Sequence, residues 1–208
     1  GTFNDIHVPP TLVSFAVGMT TTDKLITAVL TGAGEDLYMI KCARNGMGFY
    51  KKDHVLRVFR AFKELEARGQ VKNAGVVKSA GVAAKVASMC FGNGLGFDFS
   101  EKITESDLFS RTMGTIVVAI PRDSNAIDKV EMAGGKYLGK TNDSGEFTYN
   151  GQSLSFADAL EAYDGKLEPV FATKAQDADM PYEVKPYESD KTFKCANISK
   201  GSKPKVII

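Results

Sequence analysis

The chain of 208 residues has the length of one ordinary domain with an additional segment. Its 43% hydrophobic and 25% charged residues are typical of a soluble globular protein, and a net charge of +1 gives no long-range attraction to nucleic acid or to an anionic membrane. No apolar run approaches the roughly 20 residues that a bilayer-spanning helix needs. The composition therefore predicts no DNA, RNA or membrane partner.

Cysteine usage predicts the compartment. Cys42, Cys90 and Cys195 are odd in number and share no CxxC spacing, so we expect reduced thiols in a cytoplasmic protein. Cys90 lies in an apolar run and is expected in the core. Neither the cysteines nor the two histidines form a recognisable nucleophile–base pattern. The sequence therefore predicts no catalytic residue in this chain.

Apolar patterning in the first part of the chain predicts alternating strands and helices. Strands are expected at 12–19, 36–43, 95–99 and 115–120. The last of these is the most β-prone run and is expected to be a central strand. A helix is predicted at 53–69, capped by Asp53, with His54 exposed in its first turn and Gly69 at its end.

The second part adds a helix, a strand and a hairpin. A charged loop is expected at 100–107, and a helix should begin at Asp123 or Ser124 and end at the glycines 134–135. After a strand at 136–141, Asn150-Gly151 suits a type I′ turn between alternating arms. Ser155 can cap the last helix. Helices that alternate with strands and include a hairpin predict an α/β fold with a mixed β-sheet packed with helices.

The organising stretch is 71–96, where a β-prone run, small residues and a helix follow one another. The small-residue turn is Ser79–Gly81, and Gly92-Asn93-Gly94 should end the helix. A strand followed by a turn and a helix N-terminus places free N–H groups and the helix dipole in the same direction, which favours anion binding. The turn is either a phosphate site or a closely packed helix start.

The character of the chain changes after about residue 173. Residues 174–204 are rich in proline and charge with little periodicity, which predicts a linker. The run Pro204–Ile208 is strand-like, either the first strand of a further domain or an edge strand of the same sheet. Because Gly1 is not a natural start, we expect a fragment of a longer protein.

Four segments in this order resemble one family. They read GTFNDIHVPPTLVSFAV, GEDLYMI, AGVAAKVASMCFGNGLGF and DLFSRTMGTIVVAI, and YLGKTNDSGEFTYNG follows them. Together they resemble the second synthetase unit of phosphoribosylformylglycinamidine synthase. The resemblance implies an AIR synthetase-related C-terminal domain at 1–173, the linker at 174–204, and the start of a truncated glutaminase domain at 205–208. Other enzymes of the superfamily, such as selenophosphate synthetase, fit the hairpin and linker less well.

The resemblance also implies the chemistry of the whole enzyme. Such a ligase uses ATP and magnesium to activate formylglycinamide ribonucleotide, and ammonia from glutamine then gives formylglycinamidine ribonucleotide for purine biosynthesis. The fragment would be inactive alone and would form part of a synthetase or auxiliary nucleotide site. Its partners would be the N-terminal synthetase domains and the glutaminase domain of the same polypeptide. The alternative is a structural scaffold that binds no nucleotide.

The family's motif HDxSDGG is degenerate in this chain. When Gly81 is aligned with the last glycine of the motif, Val76 replaces the metal-binding Asp, Lys78 replaces the Ser, Ser79 the second Asp and Ala80 the first glycine. Valine cannot coordinate magnesium, whereas a lysine can meet a phosphate. The resemblance therefore implies a degenerate phosphate site at Lys78, Ser79, Ala80 and Gly81, and no metal ligand.

Overall fold

A computed structural model describes residues 1–3, 5–122 and 125–173. A short hairpin of β1 (Thr2–Phe3) and β2 (Ile6–His7) comes first. The strands of the main sheet then follow as β3 (Asp36–Ile40), β4 (Asn73–Val76), β5 (Gly96–Phe99), β6 (Ile116–Ile120), β7 (Gly135–Asn142), β8 (Glu146–Tyr149) and β9 (Gln152–Ser155). The predicted linker, the strand-like end, Cys195 and the proposed caps Asp123 and Ser124 lie outside the described residues.

The main sheet is mixed, with seven strands in the order β4-β6-β3-β7-β5-β8-β9. Neighbouring strands are antiparallel except β5 and β8, which are parallel. All five residues of β6 are buried, and the strand lies between β4 and β3. The strand predicted at 115–120 is therefore confirmed, and it lies inside the sheet, next to the edge strand β4.

Helices cover both faces of this sheet. They are α1 (Lys52–Ala67), α2 (Gly81–Cys90), α3 (Glu105–Phe109), α4 (Ala126–Met132) and α5 (Phe156–Asp164). Alternate residues of β3 face opposite sides, as a strand requires. Leu37 packs in the same cluster as Val82 of α2, whereas Tyr38 packs in the same cluster as Val58 of α1. The predicted α/β fold with a mixed sheet is confirmed.

Local turn and cap chemistry follows the sequence closely. Asn150 and Gly151 have φ values of 48° and 76°, which the type I′ hairpin turn requires. The Ser155 hydroxyl accepts a hydrogen bond from the Asp158 backbone N–H at 3.1 Å and caps α5. Gly94 takes the left-handed conformation after α2 and a short 3₁₀ turn. Cys90 is fully buried, and burial raises the pKa of its thiol to about 12.

The predicted strand at 12–19 is wrong. This segment has no regular secondary structure, and its side chains Leu12, Phe15, Val17 and Met19 are 89–99% exposed. Alternating apolar residues favour a strand only where another strand satisfies the backbone hydrogen bonds. No strand within the described ranges pairs with the segment.

Three local expectations are also corrected. Lys51 occupies the N-cap position of α1 without a side-chain bond, and Asp53 lies in the first turn instead. His54 is half-buried, and its Nδ1 accepts the Ala43 backbone N–H at 3.2 Å. The expected loop at 100–107 contains the start of α3, which Thr104 caps by accepting the Asp107 N–H.

Candidate phosphate-binding site

The turn between β4 and α2 is anchored to the residues that precede β6. The Val77 N–H donates to the Thr115 carbonyl at 2.8 Å, and the Gly114 N–H donates to the Val77 carbonyl at 3.1 Å. Lys78, Ser79 and Ala80 are then exposed. Ala80 is the N-cap residue and offers no side-chain acceptor, so the first N–H groups of α2 have no side-chain cap. The turn is thus held by backbone hydrogen bonds on one side, and its residues Lys78–Ala80 are exposed on the other.

Gly81 has a steric role of its own. Its φ is +87°, and a Cβ at this position would lie 2.7 Å from the Leu108 carbonyl oxygen at the end of α3. A side chain would therefore meet both backbone strain and a backbone clash. The close contact between α2 and α3 accounts for this glycine without any ligand. The closely packed helix start is thus part of the explanation of the turn.

Two lysines contribute positive charge at the helix start. Lys78 is exposed, and Lys85, one turn into α2, is half-buried above Gly75, where a Cβ would lie 2.8 Å from the Lys85 Cδ. Burial lowers the pKa of Lys85, and the positive charge of Lys78 lowers it further. Within the described ranges, no carboxylate forms an ion pair with either lysine. An anion placed at the turn would relieve their mutual repulsion.

Asp107 holds two further cations beside this turn. It is only 5% exposed, and its carboxylate meets Lys136 Nζ at 2.8 Å and Lys41 Nζ at 3.3 Å, while Thr104 donates at 3.0 Å. Burial raises the pKa of Asp107, but the hydrogen bonds from Lys136, Thr104 and Lys41 outweigh it and lower the pKa overall. Two lysines on one carboxylate leave a net positive charge.

An arginine extends the positive charge. The Arg44 guanidinium donates to the Tyr50 hydroxyl at 2.7 Å and stands 4.4 Å from the centre of that ring. Tyr50 in turn donates to the Met113 carbonyl, next to the anchor of the turn. The end of the sheet that carries the α2 N-terminus therefore combines uncapped N–H groups with several cations, which suits a phosphate group.

The donor set at this turn does not fit magnesium. Val76, where the family motif has a metal-binding Asp, is 51% exposed and offers no oxygen. Among the residues that the structure describes, no group of three or more His, Cys, Asp or Glu side chains could hold a metal ion. Asp107 is already bound by two lysines. The residues at this turn therefore do not fit a magnesium ion.

The four predicted site residues adjoin one another in the turn, but they do different things. Lys78 and Ser79 present polar groups to solvent, Ala80 leaves the helix uncapped, and Gly81 packs against α3. Sequence reasoning missed Lys85 and the Asp107 cluster. Lys41 and Lys136 lie 66 and 29 residues from Asp107, so no spacing in the sequence could have indicated their meeting.

No protein-family model matches the sequence. Solved structures from Thermotoga maritima do resemble it. PurLQS aligns with a TM-score of 0.56 and 12% identity over 83% of this chain and 32% of its own. Phosphoribosylformylglycinamidine synthase II aligns with a TM-score of 0.53 and 13% identity over 80% of this chain and 31% of its own. PurL complexed with AMPPCP aligns with a TM-score of 0.55 and 14% identity over 66% of this chain and 27% of its own.

This chain spans about a third of the length of those structures. Among the described residues, no helix is both long enough and apolar enough to cross a membrane. The mixed sheet, the helices on both of its faces and these alignments agree with one another. The described part of the chain therefore has the AIR synthetase-like α/β fold that is found in phosphoribosylformylglycinamidine synthase.

Proposed function

We propose that this chain is part of a phosphoribosylformylglycinamidine synthase, the carbon–nitrogen ligase that makes formylglycinamidine ribonucleotide in purine biosynthesis from formylglycinamide ribonucleotide, glutamine and ATP. The supporting observation is the exposed, uncapped start of α2 beside Lys78 and Lys85, in a fold shared with a PurL solved with AMPPCP. The chain would supply one wall of a synthetase or auxiliary nucleotide site and would have no activity alone.

Each residue of the turn has a defined part in this proposal. The N–H groups at the start of α2 and the Ser79 hydroxyl donate to phosphate oxygens of ATP or ADP, and Lys78 neutralises their charge. Lys85 raises the local potential from its half-buried position. Any magnesium on the nucleotide would need carboxylates from another domain, because Val76 has none to give.

The partner domains have a candidate contact in the exposed segment 12–19. Leu12, Phe15, Val17 and Met19 are almost fully exposed, and exposed apolar runs of this kind mark interaction surfaces. We assign this segment to the N-terminal synthetase domains of the same polypeptide. Domain 1–173 would then be followed by the linker 174–204 and, from 205, by the glutaminase domain, all in the cytoplasm.

The contact of segment 12–19 can be tested in the intact enzyme. Phe15→Asp replaces an exposed aromatic side chain of the segment with a charge and should reduce amidine formation at least tenfold, together with a lower Tm. Ser14→Asp is the matched control, because it adds the same charge at the neighbouring position without removing an apolar side chain. Equal activity of the two variants would contradict the assignment.

The enzyme function is tested by ATP-dependent amidine formation with ammonia as the nitrogen donor. The chain alone should give no turnover above background, and addition of the N-terminal synthetase domains should restore it. Restored activity in the presence of glutamine requires the glutaminase domain as well. Robust turnover by this chain without other domains would overturn the proposal that it is only one wall of the site.

A second candidate function is a scaffold that binds no nucleotide. Two observations favour it: Gly81 is explained by its contact with α3, and Val76 removes the metal ligand. In that case the α2 start supports the neighbouring domains only through packing. Titration of nucleotide into the wild type and into Lys78→Ala distinguishes the two functions. A scaffold that binds no nucleotide does not require the charge of Lys78.

A further inference from the structure

Lys85 combines a packed side-chain stem with an unpaired amine. It lies one turn into α2 and is half-buried. A Cβ at Gly75 of β4 would lie 2.8 Å from the Lys85 Cδ and 3.0 Å from the Met89 Sδ, so both side chains lie over this glycine. The strand therefore leaves room for the lysine stem next to an apolar neighbour, and the stem is partly removed from water.

The Lys85 amine has no partner among the residues that the structure describes. No carboxylate forms an ion pair with it, and its Nζ is not one of the buried polar atoms without a hydrogen bond, so solvent reaches it. Burial of the side chain lowers the pKa of Lys85, and the positive charge of Lys78 lowers it further. A larger share of this amine is therefore unprotonated than in an exposed lysine, and the unprotonated amine is a nucleophile.

The phosphate turn lies close to this amine. Side chains of an α-helix lean towards its N-terminus, which for Lys85 is the direction of the turn. Lys78 is near enough for its charge to act on the pKa of Lys85. The turn itself presents Ser79 and the first N–H groups of α2, which have no side-chain cap. A phosphate group at the turn would therefore stand beside a nucleophilic amine.

We propose that Lys85 is a modification site for acyl phosphates, small molecules in which an acyl group is joined to phosphate. This inference rests on the phosphate site of the proposed function. The phosphate half of the molecule binds the α2 start and Lys78, and the acyl carbon then lies beside Lys85. The Lys85 Nζ attacks this carbon and forms a C–N bond, the C–O bond to phosphate breaks, inorganic phosphate leaves, and the amine proton passes to water. Lys78 stabilises the phosphate as it leaves.

Acylation of Lys85 changes the charge of the turn. An acylated lysine is neutral, so the two neighbouring cations Lys78 and Lys85 become one, and the attraction for a phosphate group falls. The modification would therefore lower the affinity of the same site for nucleotide. An acyl thioester offers a similar acyl carbon but no phosphate for the turn to hold, so the inference is specific to acyl phosphates.

The test compares Lys85 with Lys72, an exposed lysine before β4, in one sample. The full chain is treated with acetyl phosphate, and the acetylated fraction of each lysine is followed by mass spectrometry of its peptides. Lys85 should be acetylated roughly fivefold faster or more, because the reagent is held beside it. Excess inorganic phosphate should lower this ratio about threefold or more, and so should Lys78→Ala.

A matched reagent and a matched variant complete the test. The N-hydroxysuccinimide ester of acetic acid transfers the same acetyl group without phosphate, and it should give a smaller ratio of Lys85 to Lys72. Acetyl phosphate should weaken ADP binding by the intact enzyme about threefold or more. It should leave ADP binding by Lys85→Arg unchanged, because arginine keeps the charge and is not acylated.

Two results would overturn the proposal. One is equal acetylation of Lys85 and Lys72, and the other is the same ratio with both reagents, because phosphate would then have no part in the selectivity. The outcome is separable from that of the proposed function. Selective acetylation of a chain that binds no ADP would support this inference and remove the nucleotide role. ADP binding with unselective acetylation would overturn this inference and leave the nucleotide role in place.

Discussion

Strand β3 has a buried carboxylate at its start and another beside its end, and each binds two cations. Asp36, the first residue of the strand, meets Arg122 at 2.5 Å and Lys140 at 3.9 Å. Asp107 meets Lys136 and Lys41 just beyond the last residue of the strand. Both carboxylates are less than 8% exposed. The two clusters are alike in composition and differ in what surrounds them.

The Asp36 cluster packs against aromatic side chains of the sheet. Tyr137 donates to Asp36 at 3.0 Å, and its ring packs on Tyr38 at 5.2 Å, so the cluster joins β3, β7 and the residue two positions after β6. Burial, followed by the hydrogen bond to Asp36, raises the pKa of Tyr137 to about 12. The cations at this end are used in holding the sheet together, so this end has a structural role.

The Asp107 cluster includes a residue of α3, the helix that contacts the start of α2. The helix start next to it lacks a side-chain cap, and Lys78 and Lys85 have no acidic partner in the described part of the chain. The comparison teaches that a pair of cations on one carboxylate does not by itself indicate a site. Uncompensated charge and a helix start without a side-chain cap are the features that make the Asp107 end, and not the Asp36 end, the candidate binding end.

The largest effect on stability is expected at Gly81, where the Asp107 end is most tightly packed. Gly81→Ala should lower the free energy of unfolding by roughly 2–4 kcal/mol, because a positive φ and the Leu108 carbonyl both oppose a Cβ. Gly94→Ala is the matched control, since Gly94 has a φ of +66° but open space around it. That control should lose only about 1 kcal/mol in urea unfolding. Equal losses would show that the α2–α3 contact is loose.

A pair of substitutions compares the two carboxylates directly. Asp107→Asn should cost about 2 kcal/mol in the free energy of unfolding, because two charged hydrogen bonds are lost from a buried group. It should also tighten nucleotide binding by the intact enzyme several-fold, since it frees positive charge beside the turn. Asp36→Asn should leave the affinity for nucleotide within twofold. If Asp36→Asn altered that affinity as strongly, the distinction between the two ends would fail.

The smallest expected effect is on the pH dependence of Tm, and it comes from a histidine at the Asp107 end. Burial lowers the pKa of His54 below its usual 6.5, and the nearby Arg57 and Lys51 lower it further, while the neutral ring accepts the Ala43 N–H. A lowered pKa means that the stabilisation is complete above pH 6.5 and is lost as the pH falls below it. His54→Ala should flatten the dependence of Tm on pH below 6.5.

The sequence predicted the fold where short-range chemistry decides the structure. Asn150-Gly151 and the Ser155 cap depend on their own neighbours, and both were confirmed. The strand predicted at 115–120 was also confirmed, as Ile116–Ile120, where β3 and β4 pair with it. The segment 12–19 has the pattern of a strand, but a strand also needs a partner, and the pattern cannot show whether one exists. The prediction of a strand at 12–19 therefore failed because no described strand pairs with the segment, although its residues favour strand formation.

The candidate site was predictable only in part. The strand, small-residue turn and helix around Ser79 and Gly81 are contiguous, so the sequence could indicate a helix start suited to an anion. The charged cluster at this end comes from three distant segments. Lys41, Asp107 and Lys136 meet only because β3, α3 and β7 converge there. Lys85 was not recognised because its helical position resembles that of any solvated lysine.

The most direct test of the central claim is a calorimetric titration of ADP into the intact enzyme after its other synthetase site has been inactivated. We predict saturable binding that Lys78→Ala weakens about tenfold or more, as the loss of a charged phosphate contact would. Lys72→Ala, which removes an exposed lysine before β4, should leave the affinity unchanged. Binding that is absent, or equally strong in the wild type and Lys78→Ala, would contradict a nucleotide site at this turn and favour the scaffold.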